Sequence, residues 1–287
     1  METLVGCVAN AIILGAMYTL VALGFALLHN IMGILHIAHS VIYMLSGYIC
    51  YAIITKLGAS PWIAMLFTAV LIGLLGLPLE RFVFRYFFGQ FTEALLVGIA
   101  IVTCVQTTMA LVIRYQTASI PSFVEGILKV GVVSVSYERL FTAGVGIGLM
   151  VAVLLFIKKS KIGLQMQAVA QDLEGAVLQG INIHKVSAVA GAIACFSAAV
   201  AGCLMGAYLS LDPFMGEFVL GKALVLVVLG GMGSLGGVLI AGGVLGTLDA
   251  IFPVFFHPQM AQALAMMVVV GILVFKPTGF LGREMHL

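Results

Sequence analysis

Charged side chains are nearly absent from this sequence. Asp, Glu, Lys and Arg make up 8% of the 287 residues, whereas soluble domains carry about 25%. A water-soluble globular protein is therefore excluded. Nucleic-acid binding is not expected either, because the net charge is only +2 and the basic residues form no tail or stripe. A hydrophobic content of 63% and a mean hydropathy of +1.23 predict an integral membrane protein.

The sequence also lacks the usual signatures of catalysis and metal binding. It contains no HExxH or GxSxG motif and no convincing pair of acidic residues within an apolar run, so we expect no enzyme activity in the chain itself. The five cysteines have no CxxC spacing and lie inside apolar runs, which predicts small buried residues rather than a disulfide or a metal site. We expect no cofactor. Met1 and Glu2 offer no basic segment, so the first apolar run is expected to stay as a helix rather than be cleaved as a signal peptide.

Long apolar runs dominate what is present. Gly, Pro and short polar segments separate them, without the alternating ten-residue pattern of a β-barrel. We therefore predict an all-α, polytopic membrane protein with about eight transmembrane helices in a single domain, residues 1–287. Its helices are expected at residues 5–28, 31–55, 61–79, 93–113, 139–157, 186–209 and 260–275.

Basic residues set the expected orientation. They lie in loops 80–92 and 158–185 and in a C-terminal segment with Lys276 and Arg283, so these three regions should face the cytoplasm. This arrangement requires an even number of crossings between the second and third regions. The apolar run 219–252 is too long for one crossing and is rich in glycine. We therefore predict a helix hairpin there, with its Gly-rich tip pointing inward.

The stretch GEFVLGKA, residues 216–223, is one residue short of a phosphate-binding loop. Ala223 occupies the position where that loop needs Ser or Thr, and the chain has neither the preceding strand nor a Walker B segment. Nucleotide binding by this chain is therefore not expected. Lys222 is expected to snorkel from the start of a short helix to the membrane interface, and a role in a translocation path is the second interpretation.

The Gly cluster that follows has two interpretations. Gly230, Gly231, Gly233 and Ser234 could serve close helix packing, or they could interrupt a helix so that its free backbone groups line a substrate cavity. The adjacent glycine pairs exceed what packing alone requires. The interrupted helix is therefore favoured.

A second candidate for the substrate path contains two histidines. His36 and His39 would share a helix face at their i, i+3 spacing, with Ser40 beside them and Tyr43 one turn further on. Ionisable residues at membrane depth often mark a path. Equally favoured is the alternative that two neutral imidazoles bind backbone groups left open by a helix break at residues 30–33, with Tyr43 as an interfacial anchor. A metal site would need further ligands.

The polar loop 158–185 is expected to contain a cytoplasmic amphipathic helix at about residues 164–180. Its apolar residues recur at spacings of three and four, and Gly180 is suited to end it. Two acidic residues make the polar face less cationic than a lipid headgroup binder requires, which favours insertion into a groove of a partner subunit. The apolar face comprises Met166, Ala170, Leu173, Val177 and Ile181, and the acidic residues are Asp172 and Glu174.

This loop resembles the EAAxxxG coupling motif of ABC importer permeases. The matching residues are Glu174, Gly175, Ala176 and Gly180, with Gly175 in place of the first Ala and without the downstream IxLP part. Four blocks, in order along nearly the whole chain, resemble the branched-chain amino acid ABC permease family. They are GILHIAHSVIYMLSGY (33–48), AVAQDLEGAVLQGINIHKV (168–186), VVLGGMGSLGGVLIAGGVLG (227–246) and KPTGFLG (276–282). In the first block, His36 and Ser40 stand where the family usually has Asn and Gly.

The resemblance implies an ABC importer permease in the inner or plasma membrane, for branched-chain or other neutral amino acids or another small polar solute. It implies three partners: cytoplasmic ATP-binding subunits, a homologous second permease subunit, with a heterodimer favoured, and an external solute-binding protein. ATPase coupling would fall on Ala170, Asp172, Leu173, Glu174, Ala176, Val177 and Gly180. The alternative is an ATP-independent secondary transporter or channel, which would need no docking helix; the missing acidic pairs argue against ion coupling.

Overall fold

The structure is a computed structural model that describes residues 2–114, 117–130 and 133–282. These residues are mostly helical, and eight of the helices are long and apolar enough to cross a membrane, so the prediction of an all-α polytopic membrane protein is confirmed. The helices are α1 (Glu2–Met32), α2 (His39–Leu57), α3 (Pro61–Phe82), α4 (Phe91–Val112), α5 (Tyr137–Lys159), α6 (Lys161–Gln171), α7 (Leu173–Leu178), α8 (Ile183–Tyr208), α9 (Met215–Gly230), α10 (Leu235–Phe255) and α11 (Pro258–Phe275), with a short 3-10 helix at Phe84–Phe87.

Helix α1 lies at the centre of the bundle. Apolar residues cover it on every side, as expected for an enclosed helix, and its side chains from Ile13 to Leu28 are almost all buried. It packs against α8 and α10, and small residues allow the backbones to approach closely. A Cβ atom on Gly15, for example, would lie 2.9 Å from the carbonyl oxygen of Gly242.

The chain breaks between α1 and α2. Helix α1 runs to Met32, beyond its predicted end, and α2 begins at His39 rather than at residue 31. Gly33 adopts φ = 67°, a conformation that side-chain-bearing residues disfavour. Nδ1 of His29 lies 3.2 Å from the carbonyl oxygen of Ile34, so a histidine does bridge the break, although not one of the two that were singled out.

The apolar run 219–252 forms the predicted hairpin, because α9 ends at Gly230 and α10 begins at Leu235. The 16 residues of α9 span about 24 Å, less than the ~30 Å of a bilayer core, so this helix begins inside the bundle. Its first turn meets the first turn of α2. A Cβ atom on Gly216 would lie 2.2 Å from the carbonyl oxygen of Ser40.

The basic regions share one end of the bundle, which we call the basic end. Arg81 and Lys185 line one pocket there. Lys158 lines a cavity together with the hairpin tip, residues 231–234, and residues 276–282 pack on that tip. Residues 185 and 276 thus lie at the same end of the bundle, as the predicted even number of crossings requires, and Arg283 lies outside the described residues.

The opposite end carries a β-hairpin that the sequence analysis did not predict. Strand β1 (Ile127–Val130) pairs antiparallel with β2 (Val133–Ser136) in the segment between α4 and α5. Glu138 holds the chain beside it, because its Oε2 accepts hydrogen bonds from the N–H groups of Phe123 and Val124. This short sheet leaves the all-α class unchanged.

Candidate functional site

A cavity of about 1040 Å³ opens at the basic end. It lies between the last turns of α1 and α5, helix α6 and the hairpin tip. Loop 158–185 and the Gly cluster, which the sequence singled out separately, therefore face one space. The polar side chains that line it are Asn30, Lys158, Gln167, Gln171, Asp172 and Ser234.

Loop 158–185 contains two helices rather than the single helix predicted at 164–180. Asp172 interrupts them with an extended backbone at φ = −153°. Its Oδ1 accepts a hydrogen bond from the N–H of Gly175 at 3.0 Å, so Asp172 caps α7 instead of continuing α6. A Cβ atom at position 175 would crowd Oδ2 of Asp172, so Gly175 leaves room for this cap.

The prediction that Gly180 caps this segment is confirmed. Gly180 has φ = 79° and donates its N–H to the carbonyl oxygen of Val177 at 2.9 Å, while the N–H of Ile181 reaches the carbonyl oxygen of Ala176 at 3.1 Å. These two bonds form the Schellman arrangement at a helix C-terminus. Helix α7 is thus fixed at both ends although it has 6 residues.

The break at Asp172 also divides the predicted apolar face. Met166 in α6 and Ala176 in α7 are buried against the rest of the chain. Leu173, Val177 and Leu178 are instead exposed by 39%, 49% and 85%, and we call these three the α7 patch. Since α7 belongs to a loop outside the membrane-spanning helices, exposed apolar side chains on it indicate an interaction surface.

The glycines of the cluster divide between packing and the cavity. A Cβ atom on Gly230 would lie 2.5 Å from the carbonyl carbon of Gly237, and one on Gly231 would lie 2.3 Å from the backbone nitrogen of Gly282. Gly233 and Ser234 line the cavity, and Ser234 caps α10 by accepting a hydrogen bond from Gly237. The interrupted helix is confirmed, while its contact with substrate stays a prediction.

Residues 276–282 complete the hairpin tip. The N–H groups of Phe280 and Leu281 donate to the carbonyl oxygens of Leu229 and Gly230 at 2.8 and 3.0 Å. These are carbonyls that the end of α9 leaves without helical partners. The blocks 227–246 and 276–282, which carry the family resemblance, therefore form one structural unit.

His36, His39, Ser40 and Tyr43 come together in the interior and are all buried. The two imidazole centroids lie 5.9 Å apart, and the ring of His36 lies 4.2 Å from that of Phe84. Nδ1 of His36 and both ring nitrogens of His39 have no hydrogen-bond partner among the described residues. None of the four lines the cavity at the basic end, so their place on a substrate path stays a prediction.

The prediction that Lys222 snorkels to the interface is wrong. Its side chain is 2% exposed, and Nζ donates to the two carboxylate oxygens of Asp249 in α10 at 2.9 and 2.8 Å. The rings of Phe218 and Tyr18 lie 5.3 and 5.9 Å from Nζ. Because α1 covers this face of α9, the ammonium has no route to water, and an acidic partner within the bundle neutralises it.

Three acidic residues inside the protein were not singled out from the sequence. Asp249 is one of them, although an opposite charge in the same hairpin as Lys222 was a usable signal. Glu80 and Glu138 are also buried. Ser187 of α8 donates a hydrogen bond to Glu80. Oε2 of Glu138 accepts from Phe123 and Val124, while its Oε1 has no partner among the described residues.

The structure combines membrane-spanning helices, interrupted segments, a polar cavity at one end and a capped helix beside that cavity. These features are typical of a polytopic transport protein. Residues 7–275 match the family described as "Branched-chain amino acid transport system / permease component". The chain belongs to this permease family. It is accordingly a membrane transport subunit rather than an enzyme, and a permease of this kind works with ATP-binding and solute-binding partners.

Curated relatives agree with this assignment over nearly their full length. The chain is 30% identical to "High-affinity branched-chain amino acid transport system permease protein LivH" of Salmonella typhimurium and 30% identical to the corresponding protein BraD of Pseudomonas aeruginosa, covering 96% of this chain and 94% of each relative. A solved chain titled "PsaBC from Streptococcus pneumoniae in complex with Fab" aligns over 96% of this chain at 14% identity and a TM-score of 0.47. That last similarity is too low to carry an argument.

Proposed function

We propose that this chain is a permease subunit of an ABC importer that carries branched-chain or other neutral amino acids, with ATP hydrolysed by partner subunits. The family match over residues 7–275 supports the transport class. The observation that carries the coupling role is the α7 patch, an apolar surface on a rigid, doubly capped helix beside the cavity. The single domain spans the bundle and its coupling loop.

Docking of an ATP-binding subunit on the α7 patch follows from its exposure. Burying a fully exposed Leu or Val stabilises an interface by about 1.5–3 kcal/mol, and Leu178, at 85% exposed, has the most surface to bury. Glu174 and Asp172 flank the patch and would face basic groups of the partner. Ala170, Leu173, Val177 and Gly180 complete the coupling surface proposed from the sequence, whereas Ala176 is buried and would support that surface from beneath.

Motion of α7 would reach the cavity through α6. Met166 and Val169 anchor α6 in the chain, and the side-chain amide of Gln167 donates to the carbonyl oxygen of Ile157 at 2.7 Å. Asp172 and Gln171 stand on one wall of the cavity and Gly233 and Ser234 on another. A push on α7 would therefore change the separation between α6 and the hairpin tip, which is the exit that we propose for the solute.

The substrate path above this exit is proposed to run past the first turns of α2 and α9. Both helices begin inside the bundle, where Ser40 meets Gly216, and N-terminal turns favour a carboxylate such as that of an amino acid. His36, His39, Ser40 and Tyr43 are enclosed in this conformation. A solute would reach them only when these first turns separate during the transport cycle.

The proposed assembly has a second, homologous permease subunit in a heterodimer and an external solute-binding protein. We place the basic end in the cytoplasm, because Arg81, Lys158 and Lys185 gather there and cytoplasmic loops are enriched in Lys and Arg. Loops 80–92 and 158–185 and the C-terminal segment would then face the ATP-binding subunits.

Purification and reconstitution test this function. The chain should co-purify with ATP-binding subunits and a second permease, and proteoliposomes of the complex should take up leucine, isoleucine or valine only with internal ATP and the solute-binding protein. Leu178→Glu should release the ATP-binding subunits, whereas the control Leu164→Glu, at an exposed position in α6, should not. Uptake by the chain alone along an ion gradient would show that the ATP-independent alternative is correct.

A further inference from the structure

A second cavity, of about 520 Å³, lies at the basic end between the last turn of α3 and the first turn of α8. It is separate from the cavity beside α6 and shares none of its lining. Its size falls within the range of ordinary ligand sites. The proposed coupling surface and the proposed substrate path do not include this cavity.

Cationic side chains converge on this cavity from two helices about a hundred residues apart. Arg81 and Arg85 approach from the end of α3 and the following turn, and Lys185 from the start of α8. None of the three forms an ion pair within the described part of the chain. The tendency of basic residues to lie on the cytoplasmic side of a membrane explains why they share one end of the bundle. It does not explain why they line one pocket.

Three further features make the cavity attractive to an anion. It adjoins the N-terminus of α8, whose first N–H groups carry partial positive charge. Nδ1 of His184 is enclosed and has no hydrogen-bond partner among the described residues. The one carboxylate in the lining, Glu80, is buried and accepts a hydrogen bond from Ser187, and with three cations against this one carboxylate the lining keeps a net positive charge.

The remaining wall of the cavity is apolar and faces outward. Leu77 and Phe82 line it and are exposed by 37% and 67%, and Leu74, one turn deeper in α3, is exposed by 58%. This surface continues along the outer side of α3, where hydrocarbon would lie. A soluble anion gains nothing from contact with an apolar wall, whereas a phospholipid can place its headgroup among the cations and its acyl chains along the exposed leucines.

We propose that this cavity binds the headgroup of an anionic phospholipid, with Arg81, Arg85 and Lys185 on the phosphate and Leu77 and Phe82 against the acyl chains. The lipid would join α3 to α8 directly after the coupling loop. The assignment does not depend on which solute the protein carries. An acidic segment of a partner protein is the competing occupant, and the apolar wall favours the lipid.

Lipid binding to the purified transporter complex tests the proposal. The complex is equilibrated in detergent micelles with equal amounts of phosphatidylglycerol and phosphatidylcholine, and bound lipid is counted by native mass spectrometry. Arg81→Gln/Arg85→Gln should lower phosphatidylglycerol affinity by about 25-fold, at about fivefold per cation, with phosphatidylcholine unchanged. The matched control Lys159→Gln/Lys161→Gln removes two exposed cations from the same end outside this cavity and should change binding less than about twofold.

Four outcomes would overturn the proposal. Equal retention of the two lipids by the unmodified complex would do so without any variant, and so would equal losses in the two double variants. Glycerol 3-phosphate, which carries the headgroup chemistry without acyl chains, should bind far more weakly than phosphatidylglycerol; equal binding would show a site for a free phosphate. Loss of ATP-binding subunits from Arg81→Gln/Arg85→Gln with lipid binding intact would show that a protein partner occupies the cavity.

Discussion

Removing one member of the buried pair Lys222 and Asp249 should destabilise the protein far more than removing both charges together. Lys222→Met leaves a carboxylate 11% exposed without its two short hydrogen bonds, among the rings of Phe218 and Tyr18. An uncompensated buried charge costs about 3–5 kcal/mol. Lys222→Met/Asp249→Leu removes the charges and keeps similar volumes, so it should lie within about 2 kcal/mol of the unmodified protein.

A double-mutant cycle in detergent micelles measures this effect. Unfolding is followed by thermal stability of the purified complex, where the single variants should lose on the order of 10 °C and the double variant should recover most of that loss. Lys159→Met, at an exposed lysine, is the control and should leave the melting temperature unchanged. If the losses of the two single variants simply added in the double variant, Lys222 and Asp249 would not act as a pair, and our explanation of the buried lysine would fail.

Two further predictions concern the junction of α2 with α9 and the coupling helix. Gly216→Ala should destabilise the protein by about 1–3 kcal/mol and slow uptake, because the added methyl meets the carbonyl oxygen of Ser40 at 2.2 Å; Gly221→Ala, with nothing within 4 Å, should be neutral in both assays. Leu173→Glu and Gly180→Pro should abolish uptake, while ATP hydrolysis continues and membrane insertion stays normal. Leu173→Glu places a charge in the α7 patch. Gly180→Pro removes the N–H and the φ of 79° with which α7 ends. Coupled uptake in both α7 variants would refute the docking role.

The crossings were predictable because length and charge both constrain them. The run 219–252 is too long for one membrane-spanning helix, and the basic residues on either side require an even number of crossings between them. A hairpin is the arrangement that meets both conditions. The break in the coupling loop was harder to foresee. The helical spacing of the apolar residues runs past Asp172 without a break. The hydrogen bond that the Asp172 side chain accepts from the N–H of Gly175 competes with that helix and starts a new one.

The candidate site was predictable in its parts but not in its grouping. Gly233 and Asp172 were singled out for separate reasons, and their common cavity depends on where the bundle places α6 relative to the hairpin tip, which no local pattern reports. The pairing of Lys222 with Asp249 depends on how α9 packs against α10. The two rings of His36 and His39 lie 5.9 Å apart, but the prediction that they share a helix face is wrong, because His36 lies before the first residue of α2.

The contact between residues 276–282 and the hairpin tip bears on the order in which the protein is made. The carbonyl groups of Leu229 and Gly230 obtain their partners from Phe280 and Leu281, about fifty residues and two membrane passes later in synthesis. Until α11 has been made, this wall of the cavity lacks its last segment and the two carbonyl groups stay without these partners. A partly made chain therefore cannot complete the cavity that we propose as the exit.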